Sequence, residues 1–249
     1  AMLRIISNHH KSGTVFWNSV LRSLTKIKPI KIFHLTNKNV DDFNKLLETN
    51  NQQDLFIRDI HGLIDNFNLS ELNFLGLHSA RNAANLIYSG CTYHMKTSEE
   101  WANIPNVKFN NLSYKQKINS LNNDQDRFVF EMTMQQQEIK RMFSLIDNPD
   151  FLSVDIDKIS SDKTMQDLKL IHSHLKLNDI DISLSEWLVI CRRHCLWNSI
   201  PKGRSVSHIT TKNPGAYIDN KMLFLKNSRF VFKELFGIDS YKKTFESNP

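Results

Sequence analysis

The stretch that decides the fold is "LRIISNHHKSGTVFWNSVLRSL", residues 3 to 24. Its apolar run Leu3–Ile6 reads as a strand, and Phe16, Trp17, Val20, Leu21 and Leu24 recur at helical spacing. Between them His10-Lys11-Ser12-Gly13-Thr14 must turn the chain from strand to helix. Such a turn is suited to an anion. A helix start exposes backbone N–H groups, Gly13 lets the backbone come close, Ser12 and Thr14 bring hydroxyls, and Lys11 brings a positive charge. The same residues also suit a plain strand-to-helix turn with a solvated lysine, because helix starts favour Ser, Thr and Gly. The pattern is not the ATP-binding Walker loop. In that motif a glycine stands upstream of Gly-Lys-Ser/Thr, whereas here Lys11 precedes the Ser-Gly pair.

Working outward, the same grammar recurs. "IKIFHL" (30–35) and "DLFIRDIHG" (54–62) read as a second and a third strand, and "NFLGLHSARNAANLIYSGCTYH" (73–94) as strand, polar turn and helix. Residues 95–127, rich in Asn, Lys and Gln, lack clear periodicity and are expected to form a mobile connection carrying Trp101, suited to a substrate lid. Residues 127–147 read as one long helix, 151–157 as a strand, 164–177 and 184–197 as helices, and 229–237 as a last helix ended by Gly237. Strands alternating with helices imply a three-layer α/β/α fold around a central, mainly parallel sheet, with ligands beyond the carboxyl ends of the strands.

Composition narrows the class. A chain of 249 residues with no Pro/Gly/Ser-rich linker is expected to form one domain over 1–249, the first two residues resembling a tag remnant. Hydrophobic residues at 40% and charged residues at 23% fit a globular protein, and no apolar run is long enough for a transmembrane segment. A cytoplasmic location is expected. The formal net charge of +6 is spread out, with no basic run interleaved with aromatics, so a small polyanion is favoured over nucleic acid. Cys91, Cys191 and Cys195 are too few for a disulfide framework. "CRRHC" (191–195) lacks a second Cys/His pair, so no metal is expected.

Two separated motifs then agree. "HKSGTVFW" (10–17), and "LGLHSARNAANLIYSG" (75–90) with Arg81 and Ser89 eight residues apart, together make the chain resemble the sulfotransferases that use 3′-phosphoadenosine 5′-phosphosulfate (PAPS). The resemblance implies that Lys11, Ser12, Gly13, Thr14 and Val15 hold the 5′-phosphosulfate end of the donor. Arg81 and Ser89 would hold the 3′-phosphate, and Phe16 or Trp17 would stack on adenine. It implies that Lys11 stabilises the leaving oxygen while Ser12 restrains Lys11. His61, at the end of the third strand, would be the general base in a metal-free in-line transfer that releases adenosine 3′,5′-bisphosphate. Asp59 and Asp65 are alternative partners or bases. The family's third element is degraded to "HITTKNPGAYIDNKM" (208–222), leaving Lys212, Gly215 and, less directly, Lys202 or Arg204 as its remnants. The acceptor would be a hydroxyl or amine of a small molecule, glycan or lipid, and no dimerisation motif fixes the oligomeric state. Two rivals stay open on the residues: a nucleotide-dependent small-molecule kinase, and a non-catalytic binder of the bisphosphate nucleotide.

Overall fold

The computed structural model describes residues 2–49, 55–195 and 217–246. Its strands are β1 (Leu3–Asn8), β2 (Lys31–Leu35), β3 (Leu55–Asp59), β4 (Phe74–Ala80) and β5 (Phe151–Asp155). They pair in the order β2-β3-β1-β4-β5, and every pairing is parallel. The five-stranded sheet is flanked by helices, the arrangement expected from the alternation of strands and helices. β1 is central and buried along its whole length, as a strand covered on both faces must be.

The residues fall into two compact units, one from Ala1–Arg81 and Arg141–Ile200, the other from Asn82–Lys140 and Pro201–Pro249. In the first unit, side chains alternate across the sheet. Ile6, Phe56, Leu77 and Val154 face one way, toward α1 (Thr14–Leu24), α8 (Ile156–Ser161), α9 (Gln166–His174) and α10 (Leu184–His194). Leu3, Ile5, Leu55 and Ile57 face the other way, toward Phe43 of α2 (Val40–Thr49), Leu145 of α7 (Gln136–Asp147) and a 3-10 turn at Leu63–Asn66. That gives helix, sheet and helix layers.

The second unit is helical. α3 (Ala83–His94), α6 (Asp124–Met134) and α11 (Tyr217–Phe245) pack on one another. Phe128, Phe224, Phe232 and Phe245 form its aromatic centre. Glu131 is wholly buried there, accepting hydrogen bonds from Tyr114 Oη at 2.7 Å and from His94 Nδ1, at 2.9 Å.

Three sequence expectations are corrected. Residues 95–127 are not an irregular connection. They contain α4 (Glu100–Asn103), a 3-10 turn at Val107–Phe109 and α5 (Tyr114–Asn119), anchored by buried Ala102, Phe109, Tyr114 and Ile118. The single helix over 127–147 is two, α6 and α7, parted at Gln135, whose backbone (φ −93, ψ 8) leaves the helical range. Gly237 interrupts α11 rather than ending the chain's last helix, which continues to Phe245. No described helix is long and apolar enough to cross a membrane.

Candidate functional site

The carboxyl end of β1 carries the loop singled out in the sequence. Lys11 has a left-handed backbone (φ 64) and Gly13 another (φ 107), and these two reversals turn the chain from β1 into α1. A Cβ on Gly13 would lie 2.9 Å from the Ile156 side chain, so both the dihedral and the space call for glycine. Asn8 braces the turn by donating through Nδ2 to Thr14 Oγ1 (2.8 Å) and to the His9 carbonyl (2.7 Å). Ser12 is wholly buried. Its hydroxyl accepts from the His9 N–H at 2.7 Å and donates to the Ser79 carbonyl at 2.9 Å, while Ser79 Oγ donates to the Ser12 carbonyl at 2.8 Å. Ser12 therefore fastens the loop to β4.

α1 begins at this loop with Gly13 as its N-cap, and no side chain caps it. The first N–H groups of a helix have no intrahelical acceptor, so this end presents the donors of Thr14, Val15 and Phe16 without a capping side chain. Phe16 and Trp17 point inward: both are buried, and Trp17 stacks at 6.4 Å on Trp187 in the core.

β3 supplies the second wall. Its last residues point to opposite faces. Asp59 accepts from Ser7 Oγ (2.8 Å) and from the backbone N–H groups of His61 (3.1 Å), Leu63 (3.1 Å) and Ile64 (3.0 Å), so its carboxylate shapes the loop bearing His61. It grips the backbone of the loop that carries His61. Arg141 Nε donates to the His61 carbonyl at 2.9 Å, and the Gly62 N–H donates to the Asn8 carbonyl at 3.1 Å. A Cβ on Gly62 would collide with the His9 ring. The His61 loop and the Lys11 loop are thus clamped side by side at the ends of adjacent strands. His61 itself is partly exposed, and Asp65 accepts from Ser144 Oγ at 2.7 Å.

β4 contributes Arg81. Its Nε pairs with Asp157 Oδ2 at 3.0 Å, and Nη1 donates to the Lys11 carbonyl at 3.1 Å. This joins the second motif to the first. Burial, followed by repulsion from Asp157, raises the pKa of neighbouring Asp155. Ser89 is buried on α3, within the second unit. Lys202, Arg204, Lys212 and Gly215 lie outside the described residues.

Sequence reasoning missed a buried histidine pair. His9 Nε2 and His78 Nε2 are 2.9 Å apart, and His78 Nδ1 is 2.9 Å from Ser153 Oγ. Burial lowers both pKa values, that of His78 to about 3 and that of His9 with a further push from His78. Both rings are therefore neutral, and a single proton joins the two Nε2 atoms. Among the described residues, His9 Nδ1 has no hydrogen-bond partner. Only the β1–β4 register, which sets Asn8 beside Ser79, brings these rings together.

The cysteines are buried, and burial pushes Cys91 to about 12 and Cys195 to about 11, so neither is a thiolate at neutral pH. Among the described residues, no group of three His, Cys, Asp or Glu side chains could hold a metal ion.

In fold, the chain is similar to the mouse sulfotransferase SULT7A1, solved in complex with PAP. The match covers 99% of this chain and 89% of that one, with a TM-score of 0.57 and 12% sequence identity. No protein-family model and no curated protein matches the chain by sequence. The α/β architecture is thus sulfotransferase-like.

Proposed function

We propose that this protein is a PAPS-dependent sulfotransferase, transferring a sulfuryl group to a hydroxyl or amine of a small-molecule, glycan or lipid acceptor. One observation carries the reading: α1 starts without a side-chain cap, in a loop where Lys11 is tied through its carbonyl to Arg81. A positive helix end, a lysine and an arginine converge where an anionic ligand of an open α/β sheet belongs. The likeness of fold to a sulfotransferase complexed with PAP supports the same reading. We read both compact units as parts of one sulfotransferase-like domain spanning 1–249, because the likeness runs over 99% of the chain.

In this reading the N–H groups from Gly13 to Val15 hold the 5′-phosphosulfate, and Arg81 and Ser89 hold the 3′-phosphate. Lys212 and Gly215 would complete that end of the site. Ser12 keeps the loop, and with it Lys11, in register with β4. Phe16 and Trp17 anchor the helix from the core. The acceptor oxygen or nitrogen attacks sulfur in line, its bond to sulfur forming as the bond to the bridging phosphate oxygen breaks. Lys11 stabilises the charge that grows on that oxygen, and His61 takes the acceptor proton. The products are the sulfated acceptor and adenosine 3′,5′-bisphosphate.

Calorimetric titration with adenosine 3′,5′-bisphosphate, beside ADP, tests the reading. The expected result is at least tenfold preference for the bisphosphate, or about 1.4 kcal/mol, abolished by Arg81→Ala. Equal affinity for the two nucleotides would exclude a dedicated 3′-phosphate site and bring the kinase reading forward.

A further inference from the structure

Beneath the loop lies a charge that the proposed reaction has not used. Arg58, on β3, is wholly buried. Its four hydrogen bonds all go to neutral oxygens: Asn18 Oδ1 (2.8 Å), the Asp59 carbonyl (2.9 Å), the Ile6 carbonyl (3.2 Å) and the Thr14 carbonyl (3.5 Å). The adjacent Asp59 carboxylate points to the opposite face of the sheet, as successive strand residues must, and is engaged with Ser7 and three backbone N–H groups. Among the described residues, the guanidinium is hydrogen-bonded to no carboxylate.

A buried charge without a counter-ion is costly, and this one is placed against a second positive field. Thr14 and Asn18 belong to the first turns of α1, whose N-terminal end is the positive pole of the helix dipole. A cation there is the reverse of the usual arrangement. Burial pulls Arg58 down to about 9, which leaves it charged at neutral pH, and its field helps to lower His34 on β2. Asp59 and His34 are the ionisable groups felt across β3 and β2, while β1 and α1 meet Arg58 with neutral atoms. Among the described residues, the carboxylate whose charge reaches Arg58 is Asp59, from the opposite face of the sheet, so an anion bound at the start of α1 is the charge that would balance it.

We infer that Arg58 is a positioning residue for the donor, a fixed charge behind α1 whose counter-ion is the anionic group bound at Gly13–Val15. The inference rests on the sulfotransferase reading only for the identity of that anion. Any phosphate or sulfate at the loop would satisfy the same charge.

Two variants separate this role from a purely structural one. Arg58→Gln removes the charge. Asn18→Asp keeps the shape and sets a carboxylate against Arg58 Nε, supplying an internal counter-ion. Both are titrated calorimetrically with pyrophosphate and with adenosine 3′,5′-bisphosphate, and their ligand-free thermal unfolding is measured. Asn18→Asp is expected to raise the ligand-free midpoint and to weaken binding of both ligands at least tenfold. Arg58→Gln is expected to weaken binding equally without lowering the ligand-free midpoint. Affinities within twofold of the parent in Asn18→Asp, or a lowered midpoint with intact affinity in Arg58→Gln, would overturn the inference. Should Arg58→Gln fail to fold, Asn18→Asp decides alone. Loss of pyrophosphate binding in Asn18→Asp, in a protein that does not prefer the bisphosphate over ADP, would support Arg58 while refuting the sulfotransferase reading. A parent protein that binds neither ligand would refute both.

Discussion

At residues 8–14 and again at 80–83 the chain passes from strand through a polar turn into a helix, and these two helix starts are built differently. At α3, Asn82 is the N-cap: its Oδ1 accepts from the N–H groups of Ala84 (3.0 Å) and Asn85 (3.4 Å), and its Nδ2 donates to the Thr244 carbonyl. At α1 the N-cap is Gly13, with no side chain to offer. The α3 start fills its own donors, while the α1 start has no side-chain cap and lies beside Lys11, Arg81 and Arg58. On the proposed reading, the anion site is marked less by the turn itself than by what the turn declines to satisfy.

The strongest challenge to this contrast is Gly13→Val. A side chain at φ 107 is strained by about 1–3 kcal/mol and meets Ile156. Bisphosphate affinity should fall about 100-fold, or ~2.7 kcal/mol, in calorimetry. Retention of affinity would show that ligand binds away from the loop.

Acid comes next. His9 and His78 are held neutral when folded, with pKa values below the ordinary 6.5, whereas the unfolded chain protonates them. The unfolded state thus binds more protons below pH about 6.5, and stability present above that pH is lost as pH falls toward the folded value, near 3 for His78. The slope reaches at most about 1.4 kcal/mol per pH unit for each histidine. Denaturant unfolding across pH 4–7 checks it, and His78→Asn should flatten the curve. An unchanged curve in that variant would remove the pair as its cause.

The smallest effect sharpens the comparison from its other side. Asn82→Ala should cost about 1 kcal/mol of stability through the lost cap, with bisphosphate affinity changed less than threefold. A larger loss of affinity would mean that the α3 start also contacts ligand.

The sheet and the first loop were legible because Leu3–Ile6 and the α1 stripe are strongly periodic, and because Lys11, Ser12 and Gly13 fall at the junction. The segment 95–127 was not, since its buried apolar side chains, Ala102, Phe109, Tyr114 and Ile118, are scattered among polar ones. Its Ser113–Gln116 capping box was the readable sign of a helix start. The break at Gln135 carries no glycine or proline and left no trace. The surroundings of the site depend on long-range pairing. Asp157 meets Arg81 across 76 residues, and His78 meets His9 only through the strand register. Arg58 reads as a polar residue at a strand end, and its burial against neutral oxygens emerges only once α1 is packed over it.

The most direct test is a crystal structure of the protein with adenosine 3′,5′-bisphosphate. The account predicts the 5′-phosphate within hydrogen-bond reach of the N–H groups of Gly13–Val15, with Lys11 beside it and the 3′-phosphate against Arg81. A nucleotide bound elsewhere, with the start of α1 unliganded at saturating concentration, would contradict it.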